Sequence, residues 1–238
     1  MRFPSALKHG RLIKRYKRFL ADIELDNGET ITATCPNTGS MLGLAEPGLD
    51  VWVSVSPSPT RKYSHTWELV GLGKGRERTL VGINTAHPNA IVAEAITLGG
   101  LTPLAGYASL RREVKYGAAS RIDLLLEDPS KPTAYVEVKN VHLSRERGLA
   151  EFPDSRTERG IKHLTELSNM ARSGQRAVMV YLIQRNDAQR FSLAADIDPA
   201  YAEAMVRARA AGVEAYAAAC RITTNDIRLE RLVPIVDL

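Results

Sequence analysis

Residues 120–141, S-R-I-D-L-L-L-E-D-P-S-K-P-T-A-Y-V-E-V-K-N-V, contain two runs of strand-forming residues separated by a polar connection with two prolines. Charged residues interrupt both predicted strands: Asp123 lies in the first, and Glu137 and Lys139 lie in the second. Residues two apart on a strand point to the same face, so Glu137 and Lys139 stand side by side. Because burying an unpaired charge is costly, this pattern predicts a site rather than an ordinary core strand.

An antiparallel pairing of the two strands brings Asp123 alongside Glu137 and Lys139. Two adjacent carboxylates repel each other unless a hard cation lies between them, and oxygen ligands suit Mg²⁺ or Mn²⁺. The predicted metal ligands are therefore Asp123, Glu137 and the carbonyl of Val138. Lys139 would orient or deprotonate an attacking water, or stabilise charge on a phosphate. The simpler alternative is a cross-strand ion pair on a solvated face.

The net charge of +5 is concentrated near the N-terminus, where the segment 1–20 holds seven basic side chains and no acidic one. This distribution favours a surface that binds a polyanion, although a solvated, charged strand face would use the same residues. The predicted phosphate contacts within the segment 1–80 are Arg11, Lys14, Arg15, Lys17, Arg18, Arg61 and Lys62.

The segment 1–80 has an all-β pattern. Alternating residues over 19–25 and 30–35 flank an Asn-Gly turn, which is a strong hairpin signal, and further strands are expected at 50–56 and 67–70. Short strands with Gly and Pro between them favour a small OB-like barrel. The Gly-rich segment 71–78 lacks the ending of a P-loop and is interpreted as a connecting loop.

Residues 81–238 have a mixed α/β pattern and form the second predicted domain, after an OB-like first domain at residues 1–80. A helix with Pro88 in its first turn is followed by strands near 110–116, 121–127 and 134–141. A polar loop then leads to a helix capped by Thr157. A strand at 177–183, a helix after Pro199 and two strands complete the order. This order predicts a mixed sheet with helices on both faces.

The remaining composition excludes several classes of protein. No stretch approaches the roughly 20 apolar residues that cross a bilayer, and the N-terminal residues lack the apolar core of a signal peptide. Cys35 and Cys220 are the only cysteines and lie far apart, so neither a disulfide framework nor a zinc site is expected. We therefore expect a cytoplasmic protein without a membrane partner, and Cys35 is expected to be a buried small residue.

The pattern D-x13-E-x-K on consecutive strands resembles the PD-(D/E)xK nuclease superfamily, although Ile122 stands where the motif name has proline. The resemblance implies an α/β/α fold and adds a helical acid to the catalytic set, for which Glu94 in A-I-V-A-E-A-I is the matching position. It also implies basic residues on the helix after the E-x-K strand, where Arg159 and Lys162 are the expected phosphate contacts.

Several further motifs extend the resemblance to nearly the whole chain. The segments R-Y-K-R-F-L-A-D-I, C-P-N-T-G-S-M, E-V-K-N-V and F-P-D-S-x-T-x-R-G-x-K-H-L are similar to those of the sugar fermentation stimulation protein A family. This resemblance implies DNA binding with little sequence preference and a regulatory link to sugar (maltose) metabolism. The alternative function is an active Mg²⁺- or Mn²⁺-dependent nuclease acting on DNA or RNA. Whether the protein forms a homodimer is left open.

Overall fold

The computed structural model describes residues 1–75, 78–116 and 120–237. Its N-terminal part is built from six β-strands: β1 (Lys8–Tyr16), β2 (Leu20–Leu25), β3 (Thr30–Thr34), β4 (Asp50–Val55), β5 (His65–Leu72) and β6 (Thr79–Gly82). The predicted loop at 71–78 overlaps the end of β5, and its residues 76 and 77 lie outside the described part of the chain.

Five of these strands close into a barrel. The order is β3-β2-β1-β4-β5-β6, and an additional parallel pairing of β3 with β5 joins the two ends of the five-stranded part. The Asn-Gly hairpin forms as expected, with Gly28 at φ 83° between β2 and β3. Trp67, Ile23 and Val51 are among the fully buried residues that fill the barrel. The expectation of an OB-like barrel is confirmed.

The C-terminal part contains three helices and ten strands in the described residues. The helices are α1 (Pro88–Thr97), α2 (Glu158–Arg172) and α3 (Pro199–Ala210). The strands are β7 (Ser109–Tyr116), β8 (Ser120–Asp128), β9 (Lys131–Val141), β10 (Leu143–Glu146), β11 (Leu149–Phe152), β12 (Arg176–Ile183), β13 (Arg190–Leu193), β14 (Glu214–Ile222), β15 (Ile227–Val233) and β16 (Ile235–Val236).

The main sheet of this part has six strands in the order β15-β14-β12-β9-β8-β7. β9, β12 and β14 run parallel, and the outer pairs are antiparallel. Alternate side chains of the sheet enter two separate cores: α1 packs with Val136 and Val180 on one face, and α2 and α3 pack with Met179 and Tyr181 on the other. The predicted helix–sheet–helix layers are therefore confirmed.

A second, four-stranded sheet was not predicted. Its order is β10-β11-β13-β16, and it includes most of the segment 142–155 that the sequence indicated as a polar loop. Each strand has only two to four residues, and two of the three pairings are parallel contacts between distant parts of the chain. Such short, non-local strands have no clear period of their own.

The two parts of the chain are connected by more than the segment between them. Phe3 and Met1 at the start of the chain form backbone hydrogen bonds with Asn225 and Ile227 of the C-terminal part. β6 also forms an isolated bridge from Val81 to that part. In the described residues, no helix is long and apolar enough to cross a membrane.

Candidate metal centre and nucleic-acid interface

The site lies where β8 and β9 stop pairing. The antiparallel register between them runs through Leu124↔Val136, and beyond that pair the Asp123 carboxylate takes the place of a strand partner. Asp123 Oδ2 accepts a hydrogen bond of 2.8 Å from the backbone N–H of Val138. The two strands diverge here, and the side chains of Asp123 and Glu137 come together at the opening, as the sequence predicted.

Glu137 is the most buried acidic residue of the site, with 2% of its surface exposed. Its Oε1 accepts a 2.8 Å hydrogen bond from Lys139 Nζ and a second hydrogen bond from His163 Nδ1. His163 Nε2 accepts from Arg159 Nε at 3.3 Å, which places the imidazole proton on Nδ1. The other Glu137 oxygen, Oε2, is buried and has no hydrogen-bond partner among the described residues.

Helix α2 brings three nitrogen-bearing side chains to the site, and one of them, His163, contacts Glu137. The Thr157 hydroxyl accepts from the backbone N–H of Gly160 and so caps the first turn. Arg159, Lys162 and His163 follow at spacings of three and four residues, which places them on one face of the helix. The sequence R-G-I-K-H-L offered all three residues as candidates; Arg159 and Lys162 were predicted as phosphate contacts, and His163 was left undecided.

These elements enclose an open cleft of about 440 Å³. It is lined by acidic residues on the β7–β8 side and by basic residues from β8 and α2, namely Glu113, Ser120, Arg121, Asp123, Arg159, Lys162 and His163. A cleft with carboxylates at its floor and cations on its walls suits a divalent ion together with a phosphate group.

The two carboxylates are held in different electrostatic states. Burial and the nearby charge of Glu137 raise the pKa of Asp123 to about 6, despite the hydrogen bonds from Val138 and Asn89. Burial alone would also raise the pKa of Glu137, but hydrogen bonding to His163 and the charge of Lys139 outweigh it and lower that pKa. Glu137 therefore ionises at lower pH than Asp123, and its charge opposes ionisation of Asp123.

The side chains fit a divalent cation. Glu137 Oε2 is a buried oxygen without a partner in the described part of the chain, and a cation between it and Asp123 would relieve the repulsion that raises the Asp123 pKa. In the described residues no three acidic, histidine or cysteine side chains already form a coordination cage. Two carboxylates and water molecules are nevertheless a usual ligand set for Mg²⁺ in proteins.

Glu94 does not join this site, which corrects the expectation based on the superfamily motif. Its carboxylate pairs with the N-terminal amine of Met1 and lines a separate pocket beside Arg228. The residue that α1 does place at the site is Asn89, whose Nδ2 donates to Asp123 Oδ1 at 2.8 Å. The same nitrogen lies 3.1 Å from Glu113 Oε1. Sequence reasoning missed both Asn89 and Glu113.

The predicted basic residues of the barrel differ in their surroundings. Arg11 and Lys14 are well exposed and have only long ion pairs, of 3.7 Å to Asp50 and 3.6 Å to Asp22. Lys17 is exposed in the turn between β1 and β2. Arg61 and Lys62 come just before β5. The Arg61 guanidinium donates to the hydroxyls of Thr34 and Thr66, and Lys62 lies over the Tyr63 ring.

Arg15 and Arg18 are instead engaged in building a loop. Arg15 donates to the carbonyls of Asn37 and Gly39, at 2.9 and 3.0 Å, and to that of Arg18. Arg18 donates to the carbonyl of Thr38. Both guanidinium groups therefore shape the loop 35–41, which is the motif C-P-N-T-G-S-M, and its first residue, Cys35, is buried as expected.

This loop contacts the C-terminal part through Asp154. The Ser40 hydroxyl donates to Asp154 Oδ2 at 3.0 Å, and the backbone N–H of Met41 donates to the same oxygen at 3.4 Å. His142 Nε2 lies 3.4 Å from it. Burial would raise the pKa of Asp154, but these hydrogen bonds outweigh it and hold the pKa well below its usual range. Asp154 lies three residues before Thr157, so the loop is connected to the start of α2.

Comparison with known families agrees with both parts of the fold. Residues 13–83 match the model of the SfsA N-terminal OB domain, and residues 86–226 match that of the sugar fermentation stimulation protein RE domain. The chain belongs to the sugar fermentation stimulation protein family.

Whole-length relatives support the same assignment. The sugar fermentation stimulation protein homolog of Brucella anthropi is 57% identical to this chain, and the match covers 99% of this chain and all of the relative. The homolog of Brucella ovis is 56% identical, and the match covers the whole of this chain and 98% of the relative. The solved structure of Pyrococcus furiosus SfsA in complex with Ca²⁺ superposes on this chain with a TM-score of 0.86. The two sequences are 25% identical, and the superposition covers 99% of this chain and 97% of the Pyrococcus chain.

Proposed function

We propose that the protein binds DNA with little sequence preference and that its C-terminal part hydrolyses phosphodiester bonds with the help of Mg²⁺ or Mn²⁺. The observation that carries this proposal is the opening between β8 and β9, where Asp123 lines a basic cleft beside Lys139 and Glu137, whose Oε2 has no partner among the described residues. The relative from Pyrococcus furiosus was solved with Ca²⁺, which supports a divalent-cation site in this family.

Each side chain has a distinct role in this proposal. A bound divalent ion would supply Lewis-acid stabilisation of the phosphate and lower the pKa of a water molecule. Asp123, Glu137 and the carbonyl of Val138 would hold that ion. Lys139 lies 2.8 Å from Glu137, and there it would orient the water or neutralise charge on the phosphate. Arg159 and Lys162 would bind neighbouring phosphates from the wall of the cleft.

A cleavage assay tests the catalytic part of the proposal. The protein is incubated with single- and double-stranded DNA and RNA in Mg²⁺ or Mn²⁺, beside the variants Asp123→Ala and Lys139→Ala. We expect cleavage that both substitutions abolish, with DNA as the better substrate. Binding without cleavage of any of these substrates would refute the nuclease function and leave only the binding function.

The proposal that the protein binds DNA predicts that its affinity for DNA falls steeply with salt concentration, because lysine–phosphate contacts release counterions. Replacing Lys14, Lys17 and Lys62 together by alanine should reduce the slope of log K against log salt by roughly 0.9 for each phosphate that is no longer neutralised. Arg207→Ala is the matched control, since this side chain is exposed on α3 away from the cleft. A flat salt response of the unmodified protein would contradict the proposal.

The second candidate is a DNA-binding regulator of sugar (maltose) metabolism that keeps the nuclease fold as a scaffold. The observation that favours it is the pairing of Glu137 Oε1 with both Lys139 and His163, which satisfies part of the acid's charge without a cation. The name of the family points in the same direction. The cleavage assay separates the two candidates.

A further inference from the structure

Glu113 and Asn89 have no part in the sequence motif, yet both face the candidate metal centre. Glu113 lies on β7 opposite Asp123 on β8, one position along from the register pair Arg112↔Leu124. It lines the same cleft as Asp123. Its backbone is left-handed, with φ 54°, in the middle of a strand where a residue with a Cβ rarely adopts that conformation.

The Asn89 amide joins the two acids. Its Nδ2 lies 2.8 Å from Asp123 Oδ1 and 3.1 Å from Glu113 Oε1, so the two oxygens are within about 6 Å of each other by the geometry of hydrogen bonds. The partly positive NH₂ group occupies the space between two carboxylates. The amide therefore holds the two carboxylates close together on the same side of the cleft.

A separate observation points to a ligand at this place. Glu137 Oε2 is buried, has no partner among the described residues, and belongs to an almost fully buried side chain beside Asp123. A buried carboxylate oxygen is normally satisfied by a donor or a metal ion. The third acid, Glu113, is exposed, so a cation arriving from solvent would reach its carboxylate directly.

We infer that Glu113 is the third carboxylate of the divalent-cation site and that Asn89 is the positioning residue that holds Glu113 and Asp123 in place. In this chain the strand residue Glu113 thus takes the role that the superfamily motif assigns to a helical acid, while Glu94 has none. The inference rests on the proposed metal centre. It adds a negative charge at the mouth of the cleft, where hydrated Mg²⁺ or Mn²⁺ would enter.

Calorimetric titration of the full chain with Mn²⁺ and Ca²⁺ tests this assignment without reference to cleavage. Glu113→Gln keeps the shape of the side chain and removes its charge, and we expect it to weaken cation affinity roughly tenfold or more. Glu94→Gln is the matched control and should leave the affinity within about twofold of the unmodified protein, because its carboxylate lies in another pocket. Asn89→Ala removes the amide that bridges the two acids and should weaken cation affinity by less than Glu113→Gln does, because both carboxylates remain.

The outcomes separate this inference from the proposed function. If the unmodified protein binds the cation, Asp123→Asn abolishes binding and Glu113→Gln does not change it, the assignment of Glu113 is wrong and the metal centre stands. An equal loss in Glu94→Gln would also overturn the assignment. If the unmodified protein binds neither cation, both the metal centre and the role of Glu113 are refuted. Thermal unfolding in EDTA shows whether each variant is folded.

Discussion

Replacing Asp123 by asparagine should stabilise the cation-free protein while it removes a ligand. In the folded chain, burial and the charge of Glu137 raise the pKa of Asp123 from 3.8 to about 6. At pH 7.5 the group is ionised in both states, and a shift of about two units corresponds to ~3 kcal/mol against folding. The amide loses one favourable hydrogen bond with Asn89, at a cost of about 1 kcal/mol. The expected net gain is about 2 kcal/mol.

Thermal unfolding in EDTA measures this gain. For a chain of this size, about 2 kcal/mol corresponds to a rise in Tm of roughly 4–8 °C at pH 7.5. The sign follows from the direction of the shift: a raised carboxyl pKa destabilises the folded state above about 6, and the penalty decreases as the pH falls through 6 toward 4. The advantage of Asp123→Asn should therefore disappear near pH 4, where Asp123 itself is protonated.

Two comparisons decide the result. Glu127→Gln changes an exposed carboxylate of the same strand, which pairs with Arg111, and should alter stability by no more than about 0.5 kcal/mol. Mn²⁺ should raise the Tm of the unmodified protein and not that of Asp123→Asn. If Asp123→Asn is less stable than the unmodified protein in EDTA at pH 7.5, or if its advantage is the same at pH 4, the assigned electrostatic strain is absent.

Three further substitutions probe the scaffold. The lowered pKa of Asp154 implies a stabilisation of the fold that is present above pH 4 and is lost as the pH falls further. In urea unfolding, Asp154→Asn should therefore be less stable than the unmodified protein at pH 7 and should lose less stability below pH 4. An equal loss of stability in the two proteins below pH 4 would contradict this. Thr157→Ala removes the cap of α2 and should cost about 1 kcal/mol in denaturant unfolding, whereas Thr157→Ser should restore most of it; equal stabilities would show that the cap is unimportant. Gly10→Ala places a Cβ 2.5 Å from the carbonyl oxygen of Glu24 in the barrel and should lower the free energy of unfolding by about 1–3 kcal/mol. At Gly100 the atom nearest to an added Cβ is 3.5 Å away, so Gly100→Ala should be nearly neutral in the same assay.

The floor of the candidate site could be predicted from sequence because strand periodicity determines it. A period of two places Glu137 beside Lys139, and the short connection between β8 and β9 brings Asp123 to them. The motif on the helix was less informative. Glu94 follows Asn89 by five residues, which is a rotation of about 140° around the helix, so the two side chains leave α1 in different directions.

Other parts of the site depend on geometry that has no signal in the sequence. Nothing in R-R-E-V-K-Y indicates that Glu113 adopts a positive φ, and nothing in the first turn of α1 indicates that Asn89 bonds to Asp123 on a strand. Arg15 belongs to a basic run, but its guanidinium binds the backbone carbonyls of Asn37 and Gly39 in a loop far along the chain. Such long-range contacts are set by the tertiary fold rather than by local composition.

The contact of Ser40 and Met41 with Asp154 bears on how the protein would bind a long DNA duplex. It ties a loop of the barrel to the residues just before α2, the helix that carries Arg159 and Lys162. A DNA duplex bound by the barrel would therefore meet the basic side chains of α2 at a set distance from its barrel contacts.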